Sequence, residues 1–427
     1  MKNYVDLSDK SVDQIEYALT MVGFEVEGLR DTGLPDLPKV VVGEVLSRDQ
    51  HPDADRLGVC NVNVGEVEPL QIVCGASNYK VGDRVPVALV GARLPGDFKI
   101  KASKLRGVES FGMMCSPREL GLGDDHAGLM ILEDRPEIGK PINEVFTDSD
   151  TVFDIEVTPN RPDCLSHLGI ARELAAYFGK AFSYPKLNLD FDGIRNSVEP
   201  ALISGVEVAA PDDCPNYYAH SIRGVKIGSS PDWLKRYLES VDQRPINNIV
   251  DITNFVLLEL GQPLHAFDAN KIGGKKIVVR RARPEEKITT LDDKQRKLNP
   301  EMLVIADAEK PLVVAGVMGS VDAEVDDNTV DIVLESAYFD PSGIRKTSRT
   351  LGLSSDSSYR FERGVDPNGA NFAALRAIEL ILGMAGGELV GPVFQAGSEP
   401  LVEREIELKP QYIRDVAGFE IPDSKIR

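Results

Sequence analysis

The sequence predicts a multidomain α+β protein. Its 427 residues exceed what one hydrophobic core usually organises, and at about 100–200 residues per domain they predict two to four domains. Hydrophobic residues make up 42% of the chain and charged residues 27%, which is near the average for globular domains. Short apolar runs between glycine-rich turns indicate strands, while apolar residues at helical spacing behind capping residues indicate helices.

The first element is predicted to be a helix that begins after Ser11. Ser11 and Gln14 form an S-x-x-Q capping box, and Gly23 ends the pattern. The apolar stripe of this helix is Val12, Ile15, Ala18, Leu19 and Val22. Residues 24–27 then alternate like a short strand, and a proline-rich spacer at 33–38 sets a boundary near residue 39.

A small β-barrel is predicted over residues 40–148. Its glycine-rich turns and its strand count are typical of an OB-fold, and one helical turn is expected at 111–120. The five predicted strands are 40–45, 58–64, 71–74, 85–90 and 128–132.

The segment after the barrel mirrors the segment before it. Residues 153–157 alternate like a strand, and a helix is expected from Ser166 to the stop at Gly179. Because helix and strand precede the barrel and strand and helix follow it, we expect residues 1–39 and 149–195 to form one small α/β domain with the barrel inserted.

The remaining chain mixes both kinds of element. Residues 200–398 contain strand-like runs and helix-like stretches and predict an α+β domain. Residues 400–427 contain two helix starts, and the second is cut off at Arg427. We therefore expect the chain to be a piece of a longer protein.

Composition excludes several classes of protein. A net charge of −20 excludes a chain that coats nucleic acid by bulk electrostatics, because such binding depends on Lys and Arg. No stretch approaches the roughly 18 apolar residues of a membrane helix and no export signal is recognisable, so a cytoplasmic protein is expected. The five cysteines are widely spaced and form no CxxC pair, so we expect buried thiols and assign no metal.

One segment is locally basic. Between residues 79 and 119, eight basic residues stand against four acidic ones. With the aromatics Phe98 and Phe111, they suit a surface that tracks a nucleic-acid backbone. The alternative is a solvated basic face on a barrel whose aromatics are core. The candidate RNA contacts are Lys80, Arg84, Lys99, Lys101, Lys104 and Arg106.

Motifs in the first part of the chain carry a family resemblance. Residues 51–57 (HPDADRL), 73–78 (VCGASN) and 104–116 (KLRGVESFGMMCS) resemble the tRNA-binding OB domain shared by several aminoacyl-tRNA synthetases. Residues 156–166 (EVTPNRPDCLS) resemble the segment that follows this barrel in bacterial phenylalanyl-tRNA synthetase β subunits. Because the barrel motifs and the segment 156–166 occur together, most other families that contain this tRNA-binding barrel are excluded.

Motifs in the second part resemble the editing domain of the same family. They are 244–256 (RPINNIVDITNFV), 261–268 (GQPLHAFD), 315–319 (AGVMG), 334–337 (LESA) and 360–366 (RFERGVD). The resemblance implies that 200–398 is a B3/B4-type editing domain and that 400–427 is the start of a truncated B5 domain.

The resemblance also implies an activity. This fragment would bind tRNA and hydrolyse mischarged Tyr-tRNA(Phe), and the full enzyme would attach phenylalanine to tRNA(Phe) with ATP and Mg²⁺. The implied partners are tRNA(Phe) and the synthetase α subunit in an (αβ)₂ heterotetramer, with no membrane, no DNA and no cofactor in the fragment itself. The alternative is a non-catalytic tRNA-binding and assembly module. No basic recognition helix supports DNA binding.

Four residues are the catalytic candidates that the resemblance implies. Glu335 would meet the phenol hydroxyl of tyrosine, and its alternative is a surface or strand-edge carboxylate. His265 would hold water or a ribose hydroxyl, as a base or as a positioning group, and its alternative is a structural histidine. Thr253 and Asn254 would add polar contacts around the ligand, and their alternative is ordinary turn or cap residues.

Five further residues would line the substrate pocket. Arg244 opens the third motif, while Gly316 and Gly319 would let backbone amides approach the ligand or would serve only as turn glycines. Ser355 and Ser357 depart from the family pattern Thr-Asp-Ala-Ser, in which threonine and alanine stand at these positions. The extra hydroxyl of Ser357 can narrow or polarise the pocket, which leaves its selectivity open.

Overall fold

The structure is a computed structural model that describes residues 1–122, 128–146, 150–188, 200–397 and 405–426. The predicted boundaries at 148/149, 195, 398 and 400, and residue 427, lie outside the described residues. The helices are α1 Val12–Met21, α2 Pro117–Leu120, α3 His167–Phe178, α4 Asp232–Ser240, α5 Asn248–Leu260, α6 Pro341–Leu351, α7 Asp356–Phe361, α8 Ala370–Met384, α9 Pro410–Ala417 and α10 Asp423–Ile426.

The strands are β1 Glu25–Asp31, β2 Val40–Gln50, β3 Gly58–Asn63, β4 Leu70–Cys74, β5 Arg84–Leu89, β6 Arg93–Leu94, β7 Phe98–Lys99, β8 Ser103–Leu105, β9 Val108–Ser110, β10 Gly112–Met114, β11 Thr151–Glu156, β12 Gly205–Val208, β13 Asn216–Arg223, β14 Leu264–Asp268, β15 Lys276–Arg281, β16 Lys287–Thr289, β17 Gln295–Lys297, β18 Leu303–Ala306, β19 Pro311–Val314, β20 Met318–Gly319, β21 Ile332–Tyr338 and β22 Glu388–Gly397. The mixed content confirms the predicted α+β class.

The chain forms two compact units. The barrel unit comprises Leu7–Val157 and Lys235–Pro245. The two-sheet unit comprises Met1–Asp6, Thr158–Leu234 and Ile246–Arg427. The division into four domains stays a prediction. In the described part of the chain, no helix has the length and apolar character that crossing a membrane requires.

The barrel unit is built on a five-stranded antiparallel sheet in the order β10-β5-β2-β3-β4. Its outer strands approach each other, because the Phe111 amide donates to the Gln71 carbonyl at 2.9 Å and the Val73 amide donates to Ser110 Oγ at 3.1 Å. Inward-facing side chains such as Val62 and Val85 are fully buried. The sheet is therefore a nearly closed barrel, which confirms the OB-like fold.

The prediction of a fifth barrel strand at 128–132 is wrong. The fifth strand is β10, and the segment around Leu129 is held by single hydrogen bonds instead of a ladder. Asn78 donates to the Leu129 carbonyl at 2.9 Å and accepts from the Leu129 amide at 2.8 Å. The amides of Met130 and Leu132 donate to the carbonyls of Cys115 and Arg84, at 3.0 and 2.8 Å. Isolated bonds to three separate places thus replace a strand ladder, and an apolar run alone does not reveal that.

Helix α1 and strand β1 form as predicted. The capping box of Ser11 and Gln14 is present, with both reciprocal hydrogen bonds made. Strand β1 pairs antiparallel with β11, from Glu25 opposite Glu156 to Asp31 opposite Thr151. The barrel strands therefore lie in sequence between two paired strands, as expected for an inserted barrel.

The two-sheet unit packs one sheet on another. A five-stranded sheet has the order β12-β15-β18-β19-β20, and a four-stranded sheet has the order β14-β21-β13-β22. Tyr217, Phe267 and Val333 of the four-stranded sheet share one core with Ile277 and Val304 of the other. Residues of opposite parity face away from this core, and there Ser336 Oγ donates to the carbonyl oxygen of Ala370 in α8 at 2.7 Å.

Helix α5 begins and ends on predictable signals. The Asn247 side chain caps it by accepting from the amides of Ile249 and Val250, and Gly261 ends it with a left-handed φ of 77°. The helix packs on strand β14, which follows it directly. The short loop between this helix and β14 places the candidate His265 near the start of the strand.

Candidate functional site

His265 and Glu335 stand directly opposite each other on neighbouring strands. Strands β14 and β21 are antiparallel, and their register pairs His265 with Glu335 and Phe267 with Val333. Since Phe267 and Val333 belong to the core between the sheets, His265 and Glu335 face the same way. The structure thus brings together the two main catalytic candidates.

Glu335 is a buried carboxyl with one hydrogen-bond partner among the described residues. It is 6% exposed, and the Tyr217 hydroxyl donates to its Oε2 at 2.9 Å. Burial raises the pKa of Glu335 to about 8, although the Tyr217 hydrogen bond acts to lower it. The carboxyl is therefore mostly protonated at pH 7. The strand-edge alternative is wrong, because β21 lies inside its sheet.

The ring of His265 is held in an apolar setting. It packs edge-on against Phe267, with ring centroids 4.6 Å apart at 82°. Its Nε2 is buried and has no hydrogen-bond partner among the described residues. Burial lowers the pKa of His265 to about 4, so the imidazole is neutral at pH 7. A buried nitrogen without a partner retains the capacity to form a hydrogen bond with a ligand atom.

Gly319 leaves the space that the His265 ring occupies. A Cβ atom at position 319 would lie 2.8 Å from His265 Cε1 and 3.2 Å from Nε2. Gly316 has a different role, because it turns the chain between β19 and β20 with a φ of 66°, and a Cβ there would lie 2.9 Å from Ile344 Cδ1. Each glycine thus avoids a steric clash inside the protein, and the approach of their backbone amides to a ligand stays a prediction.

Thr253 and Asn254 lie within helix α5. Thr253 is 8% exposed, and its Oγ1 donates to the Val250 carbonyl at 2.7 Å. The alternative that these two are turn or cap residues is wrong, because the helix continues for six residues beyond Asn254. Their contact with a ligand stays a prediction.

Ser355 caps helix α7 and ties it to the β19–β20 turn. Its Oγ accepts from the Ser358 amide at 3.1 Å and donates to the Val317 carbonyl at 2.7 Å. Ser357 is half-buried in the first turn of that helix. Arg244 is exposed and belongs by its contacts to the barrel unit.

The structure adds Tyr217, which sequence reasoning did not select. Tyr217 is fully buried on β13, where Ala219 stands opposite Glu335 and Tyr217 stands opposite Ala337. The two side chains meet diagonally across one face of the sheet. Only the strand register, which no local motif encodes, identifies this contact.

The barrel presents an exposed basic and aromatic surface. Phe98 is 55% exposed and Phe111 is 39% exposed, so the alternative that these aromatics are core is wrong. Arg84 differs from the other candidates, because its guanidinium donates to the carbonyl oxygens of Arg135 and Pro136 and lies 3.7 Å from Glu44. The candidates with exposed side chains are Lys80, Lys99, Lys101, Lys104 and Arg106.

His51 joins the first barrel hairpin to the basic hairpin β8–β9. Its Nδ1 accepts from the Asp53 amide at 3.0 Å, so Nε2 carries the proton and donates to the Leu105 carbonyl at 3.1 Å. Arg106 also donates to the Asp53 carbonyl at 3.4 Å. Beside this junction lies a cleft of about 490 Å³, lined by Arg48, Asp49, Gln50, Asp55, Arg56, Leu57, Gly58, Gly75, Ala76 and Ser77.

Comparisons with known proteins identify two domain families in the chain. The profile of the B3/4 domain family matches residues 213–386, and that of a tRNA binding domain matches residues 40–141. The phenylalanine–tRNA ligase beta subunit of Anaeromyxobacter dehalogenans is 47% identical over 421 residues, covering 99% of this chain and 52% of that protein. The chain belongs to the phenylalanine–tRNA ligase β-subunit family.

Further relatives point the same way. The β subunit from Fusobacterium nucleatum is 46% identical over 420 residues, covering 98% of this chain and 52% of that protein. The chain thus spans about half the length of the curated β subunits that it matches. A solved N-terminal fragment of the phenylalanyl-tRNA synthetase beta-subunit from Pyrococcus horikoshii has a TM-score of 0.30 at 17% identity, covering 65% of this chain and 75% of that chain.

The two family matches divide the candidate residues cleanly. His265, Glu335 and Tyr217 lie within the B3/4 match, together with the serines of α7 and the glycines around β20. The cleft and the six basic candidates lie within the tRNA binding match. Each β-subunit domain match therefore contains one candidate site.

Proposed function

We propose that the two-sheet unit hydrolyses the ester bond of Tyr-tRNA(Phe), as the editing part of a phenylalanine–tRNA ligase β subunit. The observation that carries this proposal is the buried, mostly protonated carboxyl of Glu335 directly opposite His265. Both groups are uncharged at pH 7, so the site accepts a neutral aromatic side chain without burying an unpaired charge.

Glu335 distinguishes a tyrosyl ligand from a phenylalanyl ligand. The Tyr217 hydroxyl donates to Oε2, so the proton of the acid lies on Oε1, which can donate to a phenol oxygen. Phenylalanine would leave that O–H without a partner, and sites of this kind reject such analogues by about 10⁴–10⁵-fold. An apolar synthetic pocket rejects tyrosine by only about 10²-fold, so a second, polar site is needed.

His265 acts as a positioning group. General bases work best with a pKa near the operating pH, and a pKa of about 4 makes this imidazole a weak base at pH 7. Its buried Nε2 can hold a water molecule or a ribose hydroxyl of the tRNA 3′ end. An aminoacyl ester is already activated, so a correctly placed water supplies most of what hydrolysis requires.

The barrel unit would hold the tRNA. Its exposed lysines track the backbone, while Phe98 and Phe111 offer faces for stacking unpaired bases. In the complete ligase, this chain would work with the α subunit in an (αβ)₂ heterotetramer in the cytoplasm, and the assembly would join phenylalanine to tRNA(Phe) with ATP and Mg²⁺.

The described residues contain one cluster with the spacing of a metal site, and its chemistry does not fit Mg²⁺. Asp163, Cys164 and Glu173 have ligand atoms within 4.8 Å of one another. Arg161 pairs with both carboxylates, and Arg172 pairs with Asp163 at 2.5 Å. Burial raises the pKa of the Cys164 thiol to about 12. The cluster is therefore an ion-pair network.

Deacylation of Tyr-tRNA(Phe) tests the proposal. The purified chain should release tyrosine faster than buffer and should spare Phe-tRNA(Phe). Glu335→Leu, which removes both the donor and the acceptor, should lower the preference for tyrosine, and His265→Ala should slow release. Glu388→Leu, which replaces an exposed carboxylate on β22 of the same sheet, is the matched control and should behave like the wild type.

The non-catalytic alternative predicts a different outcome. If the chain is only a tRNA-binding and assembly module, micromolar protein will bind tRNA(Phe) without accelerating the release of tyrosine. That result would refute editing by this chain and leave RNA binding by the barrel standing.

A further inference from the structure

The contact between Tyr217 and Glu335 restricts what the carboxyl can do. The hydroxyl donates to Oε2 at 2.9 Å from a fully buried ring on the neighbouring strand. Each carboxyl oxygen can accept along two lone-pair directions, and this contact uses one of those of Oε2, whereas Oε1 has no hydrogen-bond partner among the described residues. Tyr217 is the one hydrogen-bond partner that the described residues give to the Glu335 side chain.

Among the described residues, Tyr217 is the group that donates a hydrogen bond to the Glu335 carboxyl. Other titratable groups near Glu335 are His265, directly opposite on β14, and Cys214, whose thiol pKa is raised by burial and by this carboxyl. Burial and the Tyr217 hydrogen bond are the causes of the shifted pKa of Glu335, so among the described residues no lysine or arginine compensates its charge. The orientation of Glu335 therefore depends on a single neutral donor.

We propose that Tyr217 is a positioning residue that fixes the Glu335 carboxyl and reserves Oε2, so that only Oε1 meets the hydroxyl group of a tyrosyl ligand. This inference rests on the proposed editing function. A carboxyl that is free to rotate would spread its hydrogen bond over several ligand positions, and preorganisation of such groups is what gives polar sites their selectivity.

The contact also has an electrostatic sign. A hydrogen bond donated to a carboxyl stabilises its charged form, so Tyr217 holds the pKa of Glu335 below the value that burial alone would impose. Its removal must raise that pKa further. Hydrogen bonds to charged groups typically contribute enough to move a pKa by roughly one to two units.

Tyr217→Phe removes the hydroxyl and keeps the buried ring. Tyr218→Phe is the matched control, because Tyr218 is the adjacent buried tyrosine and faces the opposite side of the sheet. In single-turnover deacylation, Tyr217→Phe should lower the preference for tyrosine over phenylalanine by roughly tenfold. The high-pH limit of tyrosine release should also move up by roughly one to two pH units, and Tyr218→Phe should change neither value.

Carboxyl ¹³C NMR measures the same effect without any activity. The Glu335 resonance can be identified as the one that Glu335→Gln removes, and its titration midpoint should rise in Tyr217→Phe. An unchanged midpoint would overturn the inference even if the chain edits. A raised midpoint in a chain that does not deacylate Tyr-tRNA would leave the contact intact and refute the proposed function instead. Normal thermal unfolding of both variants excludes misfolding.

Discussion

Replacing Gly319 by alanine should displace His265. The added Cβ would lie 2.8 Å from His265 Cε1, 3.2 Å from Nε2 and 3.3 Å from Leu291 Cδ1. Carbon atoms prefer separations of about 3.5–4.0 Å, so the ring must retreat by roughly 0.7–1.2 Å. Phe267 packs edge-on against the same ring. Overpacking of this kind costs typically about 1–3 kcal/mol.

The substitution should lower both activity and stability. A shift of about 1 Å in a positioning group can lower a rate by roughly 10²-fold, so Gly319→Ala should slow tyrosine release by about that factor. Urea unfolding should show the loss of about 1–3 kcal/mol. Gly205→Ala is the matched control, because position 205 lies at the opposite edge of the same sheet with nothing within 4 Å of the added Cβ.

A double-mutant cycle decides the cause. If the clash with His265 is what destabilises Gly319→Ala, the same change in a His265→Ala background should cost much less, with a coupling of about 0.5–3 kcal/mol. Equal losses in both backgrounds would refute this account. So would a Gly319→Ala variant with wild-type stability and wild-type deacylation.

Three other predictions follow from the described contacts. Between pH 4.5 and about 8, Glu335 releases its proton in the unfolded chain but keeps it in the folded protein. The free energy of unfolding of the wild type should therefore fall as the pH rises through this window. Urea titrations at each pH should show a smaller fall for Glu335→Gln. Lys104→Ala should weaken RNA binding, measured by fluorescence anisotropy, and should reduce the slope of log K against log[salt] by about one unit. Arg84→Ala should mainly lower the unfolding midpoint in thermal melts, because the Arg84 guanidinium donates to carbonyl oxygens of the protein. Arg376→Ala should lower the free energy of unfolding in urea by about 3–5 kcal/mol, because it leaves the 1% exposed carboxylate of Glu259 without its paired arginine. A loss below about 1 kcal/mol would contradict this expectation.

Local signals in the sequence determined much of the fold. The ends of α1, α3 and α5 follow from capping residues and from glycines that adopt left-handed conformations, because the groups that satisfy a helix end are its immediate neighbours. Alternating apolar runs gave four of the five barrel strands. The fifth was misplaced, because the segment around Leu129 is held by the Asn78 side chain from 51 residues away and by single backbone bonds to Cys115 and Arg84.

The family motifs likewise pointed to His265 and Glu335, and their chemistry came from the tertiary structure. Strand register set the two side chains opposite each other, and burial between two sheets left both uncharged at pH 7. Tyr217 reaches Glu335 across 118 positions of sequence, and Gly319 matters because a ring from another sheet fills its space. Periodicity and capping act over a few residues, so the sequence by itself determined the elements, whereas desolvation and steric contact depend on which elements pack together.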